Sequence, residues 1–169
     1  MLMFLLAGCN ASETPILTVT AANLSLNLTP NYNMSSVPIT TSGEGYIEQL
    51  IIINNTENMN DSSLLSLTSF SDISVLELEA DDILIFMDNM LSGIFRLGGA
   101  DEKESYNLKD HSNQNVTVRV FDIPDAENPL SSNLTYMTSL RLDQLNYIYI
   151  FSMDKNLTNN IVENLELVE

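Results

Sequence analysis

The residues of this chain that are chemically suited to catalysis or metal binding are few and scattered. The sequence has one cysteine, Cys9, one histidine, His111, and no tryptophan. Histidine performs most general acid and base catalysis, and His111 stands between Asp110 and Ser112, the residue types of a hydrolytic triad. A triad is defined by geometry rather than by adjacency in sequence, and the chain has no G-x-S-x-G motif. We therefore predict that His111 lies in a solvent-exposed turn and that the protein is not an enzyme.

Adjacent carboxylates occur at Asp81 and Asp82 and again within residues 101–104. Neighbouring residues of a strand point to opposite faces, so such a pair converges on one ion only where a loop folds it. Residues 98–104 begin with two glycines and are predicted to form such a loop. A weak calcium site there is an alternative, because hard cations take several oxygen ligands, but the spacing is not that of an EF-hand loop. The leading prediction is a solvated turn, with no metal and no cofactor.

The charge of the chain limits its partners. Six Lys and Arg residues stand against 23 Asp and Glu residues, which gives a formal net charge of −17 at pH 7. Such a surface repels nucleic-acid phosphates and anionic lipid head groups, so a nucleic-acid function is excluded. The carboxylates are scattered along the chain, which is typical of a solvated acidic surface. At 169 residues and 44% hydrophobic content, the chain can bury the core of one domain or of two small ones.

The sequence opens with a short apolar run, residues 1–6, which is much shorter than the roughly 20 residues that span a bilayer. Leu6-Ala7-Gly8-Cys9 resembles the bacterial lipobox, in which the cysteine thiol receives diacylglycerol before the peptide ahead of it is removed. The resemblance implies that residues 1–8 are the remnant of a signal peptide and that Cys9 is lipidated. Because no Lys or Arg precedes the apolar run, we expect the true start to lie upstream of Met1. The alternative is an apolar N-terminal strand in which Cys9 is buried.

Residues 9–15 are small and polar and end in Pro15, a composition typical of a tether. Each buried methylene of a lipid contributes about 0.8 kcal/mol, so the two acyl chains on Cys9 would hold the protein stably to a membrane. In the lipobox resemblance, Asn10 directly after the cysteine implies sorting to the outer membrane of a Gram-negative bacterium. The predicted location is therefore the cell envelope, facing the periplasm or the surface.

Beyond the tether, alternation of apolar and polar residues with period two is frequent, as in residues 18–28, and indicates β structure. The apolar run within residues 46–53 is consistent with a strand buried on both faces, and residues 124–129 contain two prolines and must form a loop. Short strands separated by Asn, Asp, Ser, Gly and Pro favour an antiparallel sandwich. We predict an all-β sandwich over residues 16–156. Residues 157–169 would be a tail, with 159–169 a short helix or the first strand of a further domain.

Two segments of the predicted sandwich resemble each other. Residues 76–86 place alternating leucines before an acidic turn and a β-branched or aromatic strand, and residues 140–151 nearly repeat this order. A longer-turned version occupies residues 106–121. The pattern indicates either two degenerate copies, about 16–90 and 91–156, or one kind of hairpin used three times in a single sandwich. The sequence leaves both open.

Residues 82–156 carry a further resemblance. The segments that carry it are Asp82-Ile83-Leu84-Ile85-Phe86-Met87-Asp88-Asn89, Ser105-Tyr106-Asn107-Leu108, Val116-Thr117-Val118-Arg119-Val120, Pro129-Leu130, Ser139-Leu140-Arg141-Leu142 and Tyr147-Ile148-Tyr149. Their order is similar to that of a secreted bacterial domain of unknown function that is common in cell-envelope lipoproteins. The resemblance covers about half of the chain and implies an immunoglobulin-like β-sandwich without established catalytic residues.

Together these patterns predict a non-enzymatic envelope lipoprotein that acts as a structural or interaction module. Its expected partners are the membrane, through the lipid on Cys9, and a protein or glycan that the sequence does not identify. The alternative is a surface adhesive module that binds carbohydrate or calcium.

Overall fold

The structure is a computed structural model that describes residues 16–18, 23–29, 31–43, 45–58, 62–73, 80–124 and 132–168. Cys9 and the predicted tether lie outside these residues. The described residues form ten strands and two helices. In chain order these are β1 (Ile16–Thr18), β2 (Asn23–Ser25), β3 (Tyr32–Gly43), β4 (Tyr46–Asn55), β5 (Ser62–Phe70), α1 (Ala80–Leu97), β6 (Asp101–Lys109), β7 (Asn115–Pro124), β8 (Ser132–Arg141), β9 (Asn146–Ser152), α2 (Lys155–Asn164) and β10 (Glu166–Val168).

Seven strands form one antiparallel sheet in the order β3-β4-β5-β9-β8-β7-β6. Two meanders, β3 to β5 and β6 to β9, meet where β5 pairs with β9, with Leu65 opposite Ile150. A second antiparallel sheet, β1-β2-β10, packs on one face of the first. The predicted all-β sandwich is therefore confirmed. The strand order differs from the four-plus-three arrangement of an immunoglobulin constant domain, so the agreement is with the all-β sandwich class.

The main core lies between the two sheets and follows from alternation along the strands. On β4, Ile51 and Ile53 are fully buried, and on β7 the valines 116, 118 and 120 point to the same side. Leu24 and Leu26 close this core from the smaller sheet. Burying one such aliphatic side chain contributes about 1.5 to 3 kcal/mol, so strands with this pattern are held in register by the face that they bury.

The C-terminal residues complete the same core. Asp154 caps α2, its carboxylate accepting hydrogen bonds from the backbone N–H groups of Asn156 and Leu157 at 2.7 and 3.2 Å. Ile161 and Val162 are fully buried, and β10 pairs with β2. The boundary predicted between residues 156 and 157 therefore falls inside α2. The sequence analysis offered a short helix or a strand of a further domain for residues 159–169. The structure has a helix, α2, and a strand, β10, and both pack in the sandwich.

The prediction of a hairpin at residues 76–86 is wrong from residue 80 onward, because Ala80–Leu97 is the helix α1. Ile83, Met87, Leu91 and Phe95 recur every fourth residue, which is helical spacing, and a short apolar run alone does not distinguish a buried strand from a helix. The other two predicted hairpins form, as β6-β7 and β8-β9. The segments that resemble each other in sequence thus adopt different structures, and the resemblance does not mark a repeated hairpin.

Candidate functional site

Helix α1 positions the candidate site, and it ends abruptly before β6. The N–H of Gly99 donates to the carbonyl of Arg96 and the N–H of Ala100 donates to the carbonyl of Phe95, each at 3.0 Å. This pair of bonds is the Schellman arrangement, which needs a left-handed residue after the helix. Gly99 supplies it with a φ of 88°. The helix is therefore fixed at its C-terminal end on the face of the large sheet opposite the main core.

One face of α1 is buried against this sheet. Ile83 and Met87 pack on Tyr147 and Tyr149 of β9. Nearer the C-terminal end of the helix, the ring of Phe95 stacks on Phe121 and on Phe151, with ring centroids 5.2 and 5.6 Å apart. These contacts form two small clusters that fix which side of the helix faces outward.

A partly buried ion-pair network ties α1 to β6 and β7. The Nε and Nη2 atoms of Arg119 donate to Oδ2 of Asp88 at 2.9 and 2.8 Å, and its Nη1 donates to Oε1 of Glu102 at 2.9 Å. Arg96 forms a second ion pair with Glu102. Partial burial would by itself raise the pKa of Glu102, but the hydrogen bonds and charges of Arg96 and Arg119 outweigh it and hold that pKa below its ordinary value.

The hydroxyl group of Tyr149 lies beneath α1 and is buried. Among the described residues it has no hydrogen-bond partner. Burial raises the pKa of Tyr149 far above its ordinary value, and the negative charge of Asp88 adds to this shift. Tyr149 packs against Ile83 and Met87 of α1.

The outward side of α1 carries large apolar side chains. Phe86, Met90, Ile94 and Leu97 are 58%, 46%, 55% and 90% exposed. At about 100° per residue, these four positions lie within about 80° of one another on the helix circumference. We call them the apolar flank. It is contiguous with the buried residues Ile83 and Met87, so α1 has an apolar surface much wider than the part that the sheet covers.

Beside the apolar flank, α1 and the large sheet enclose a groove of about 360 Å³. Its walls are almost entirely apolar. The helix contributes Ile83, Phe86, Met87 and Met90, and the strands β4 and β5 contribute Tyr46, Thr68 and Phe70. Phe70 packs edge-on against Tyr147 at 5.8 Å, which gives the groove a rigid floor.

A smaller cleft of about 220 Å³ lies on the other flank of α1, and Asp88, Asp110 and Arg141 are among its lining residues. The acidic groups of this cleft are already engaged. Asp88 is paired with Arg119, and the buried Asp110 carboxylate accepts hydrogen bonds from the backbone N–H groups of Ser112 and Gln114. Through these two hydrogen bonds, Asp110 stabilises the turn between β6 and β7.

The structure separates the residues that the sequence offered as candidates for chemistry. His111 is exposed in the turn between β6 and β7, where its Nε2 lies 3.0 Å from Oγ of Ser112, while Asp110 is turned into the protein. No triad geometry results from these three residues. Asp82 is exposed near the start of α1.

The predicted loop at residues 98–104 is wrong from residue 101 onward, because β6 begins at Asp101. Two of its three acidic side chains pair with cations of the protein itself: Glu102 with Arg96 and Arg119, and Asp101 with Lys103 at 3.8 Å. Within the described residues, no group of three or more His, Cys, Asp or Glu residues is placed to hold a metal ion.

Comparison with known proteins gives no match to a protein-family model, a curated protein or a solved structure. The resemblance to the secreted envelope domain and the lipobox resemblance remain predictions. In the part of the chain that the structure describes, neither helix has the length and hydropathy needed to cross a bilayer.

Sequence reasoning missed the apolar flank and the groove because it assigned residues 82–86 to a strand. The signal was present in the fourth-residue spacing from Ile83 to Phe95, together with the apolar residues that fall outside that spacing. A helix with apolar residues on more than one side has more apolar surface than one sheet can cover.

Proposed function

We propose that this protein is a non-enzymatic lipoprotein of the bacterial cell envelope that acts as an interaction module, with the apolar flank of α1 as its binding surface. The observation that carries the proposal is the exposure of Phe86, Met90, Ile94 and Leu97 on one side of a single helix. Scattered exposed apolar residues are normal on a protein surface, whereas a contiguous apolar patch marks an interaction site.

The rest of the surface supports this assignment by contrast. The chain carries a net charge of −17, and β6, the edge strand next to the C-terminal end of α1, presents a mostly charged or polar sequence, DEKESYNLK. Charged residues on an edge strand oppose unwanted pairing with other strands. Other large apolar side chains of the described residues are also exposed, among them Ile85, Leu134 and Met153, but the apolar flank gathers four on one side of a single helix.

The anchor is the second part of the proposal and rests on the lipobox resemblance of Leu6-Ala7-Gly8-Cys9. Diacylated Cys9, followed by the six tether residues 10–15, which span at most about 22 Å, would hold the sandwich close to the membrane surface. An interaction module benefits from such an anchor, because confinement raises its effective concentration toward partners in the same envelope.

Lipid attachment and partner binding are tested separately. For the anchor, labelled palmitate should enter the wild-type protein, and Cys9→Ser should abolish the label and move the protein out of the membrane fraction. Label in the variant, or an unchanged membrane fraction, would overturn the anchor.

For the binding surface, a photo-cross-linking amino acid at Ile94 should give a discrete adduct with another envelope protein in living cells. The same amino acid at His111, which is also exposed but lies in the β6-β7 turn, serves as the control. Equal adducts at both positions, or none at Ile94, would overturn the assignment of the apolar flank.

A further inference from the structure

We infer that the groove between α1 and the strands β4 and β5 receives a basic amphipathic helix of a partner protein. This inference rests on the proposed function and adds the chemistry of the partner. It follows from the shape of the groove, from the extent of apolar surface around it, and from the distribution of charge.

The groove is one part of a longer slot. Within the described residues, α1 packs over β6, β8 and β9 and touches Phe70 of β5, but it makes no substantial contact with β4 on the same side of the sheet. There Tyr46, Leu50 and Ile52 alternate with residues that point into the main core, and Ile52 pairs with Leu64, which is partly exposed on β5. Tyr46 and Ile52 are six residues apart, about 20 Å along a strand. The slot therefore has one wall formed by a helix and a floor formed by a sheet.

The apolar flank runs along the wall of this slot. Phe86 and Leu97 are eleven positions apart, about 16 Å along the helix axis. A small molecule in the groove would reach Phe86 and Met90 and leave Ile94 and Leu97 in water. A second helix lying beside α1 covers all four residues and the exposed floor at once, as an amphipathic helix does in an apolar groove. Met87 and Met90 suit this role because methionine adapts its shape to an incoming side chain.

The charge distribution specifies the polar side of the incoming helix. The six Lys and Arg residues all lie in the described part of the chain, and each is engaged there. Arg96, Lys103 and Arg119 form ion pairs, Lys109 donates to the carbonyl of Asn113, Lys155 lies over the ring of Tyr106, and Arg141 also has a partner. Most of the 23 carboxylates have no cation to pair with.

Two carboxylates lie next to residues that line the groove. Glu48 is on the same side of β4 as Tyr46 and pairs in register with Thr68, which lines the groove. Asp82 is exposed one residue before Ile83 on α1. An incoming helix with Lys or Arg beside its apolar stripe would satisfy these charges and enter a negative potential that speeds its association.

The same charge argues against the other occupants. A second copy of the chain would bring another −17 to the interface, and anionic lipid would be repelled as well. The charge does not argue against a neutral membrane surface, and the test includes vesicles of neutral lipid for this reason.

The test uses the folded protein and a synthetic helix of leucine and lysine, about 18 residues or five turns long, with leucine at helical spacing. A glutamate-for-lysine version and a scrambled version of equal composition are the controls. Fluorescence anisotropy should show binding of the first peptide and at least about tenfold weaker binding of both controls. Raising NaCl from about 50 to about 500 mM should weaken, but not abolish, binding, because screening affects only the charged component.

The decisive variant is Met90→Glu, which removes an apolar contact while making the protein more negative. We expect at least about tenfold weaker binding of the leucine-lysine peptide, with unchanged circular dichroism. Leu134→Glu is the matched control, because it adds the same charge at an exposed position of β8. Leu134 points to the same side of the sheet as Tyr136, opposite α1, so this variant should bind the peptide at least as well as the wild type. Unchanged or tighter binding by Met90→Glu would show that attraction is electrostatic only and would overturn the inference.

Two further results separate this inference from the function on which it rests. If the peptide fails to bind while the cross-link at Ile94 persists in cells, the partner is not a basic amphipathic helix, but the apolar flank is still a binding surface. If both fail, the proposed function falls too. Binding to phosphatidylcholine vesicles that is lost in Met90→Glu, without binding of the peptide, would replace the partner helix by a membrane surface.

Discussion

Arg119 on β7 holds Asp88 on α1 through two hydrogen bonds to a single carboxylate oxygen, at 2.9 and 2.8 Å. This contact crosses from the sheet to the helix and is mostly shielded from water, with about a quarter of the Arg119 side chain exposed. Because the same guanidinium also binds Glu102, one residue links α1, β6 and β7. This link adds to the apolar contacts that hold α1, and with it the groove, against the sheet.

Removing the link should destabilise the protein. Arg119→Met leaves two partly buried carboxylates facing each other, and we expect the free energy of unfolding to fall by roughly 1 to 3 kcal/mol. The free energy of unfolding of Asp88→Asn should fall by a similar amount. The double variant should lose less than the sum of the two single losses, because both substitutions remove the same ion pair. Urea denaturation measures all three. Lys109→Met is the control, because Lys109 donates to the Asn113 carbonyl in an exposed turn. If the losses of Arg119→Met and Asp88→Asn add up in the double variant, the two residues do not stabilise the protein through one shared ion pair.

The stability that Glu102 contributes should depend on pH. Its pKa is lowered in the folded protein because Arg96 and Arg119 outweigh the effect of burial. A carboxylate with a lowered pKa contributes stability above its unfolded pKa, about 4.3, and loses this contribution as the pH falls through the folded value. Glu102→Gln should therefore lower the melting temperature at pH 7 and have a shrinking effect below about pH 4. A difference from wild type that stays constant between pH 7 and pH 3 would exclude this role.

The partly buried Tyr106 and the buried Tyr149 should respond oppositely to loss of the hydroxyl group. Tyr106 donates to Oδ1 of Asn159 at 2.9 Å, and burial, with the nearby Tyr136 and Glu104, raises its pKa to about 12. Tyr106→Phe leaves the Asn159 oxygen without this donor and should cost about 1 kcal/mol of unfolding free energy. Tyr149→Phe removes a buried hydroxyl that has no partner among the described residues and should be neutral or stabilising by up to about 1 kcal/mol. Each variant is the control for the other in urea titrations. A larger loss of unfolding free energy in Tyr149→Phe than in Tyr106→Phe would contradict these hydrogen-bond assignments.

The sequence predicted the sandwich because its strands alternate strictly where one face is buried. Val116, Val118 and Val120 are separated by polar residues, and all three valines point into the main core. The pairing of β5 with β9 could not be predicted in the same way. These strands are about 80 residues apart in sequence, and their union depends on packing that period-two alternation does not encode.

Helix α1 was missed for a different physical reason. Asp82 to Phe86 contains β-branched and aromatic residues that are common in strands, and local propensity gives way to tertiary packing when a helix can bury one of its sides. The ion pair of Arg119 with Asp88 was hidden for the same reason, since it requires knowing which residues of α1 face the sheet. The sequence therefore predicted an interaction module, but it did not identify the residues of α1 that we propose as the binding surface.

The last prediction separates the residues of α1 that serve folding from those available to a partner. Ile83 is almost fully buried, whereas Phe86, less than one turn further along, is more than half exposed. Ile83→Ser should cost about 2 to 5 kcal/mol, because it leaves a cavity and buries a hydroxyl group. Phe86→Ser should change the unfolding free energy by no more than about 1 kcal/mol, and yet weaken the photo-cross-link at Ile94. A Phe86→Ser protein as unstable as Ile83→Ser would mean that the apolar flank is part of the core, and the flank would then have no surface to offer a partner.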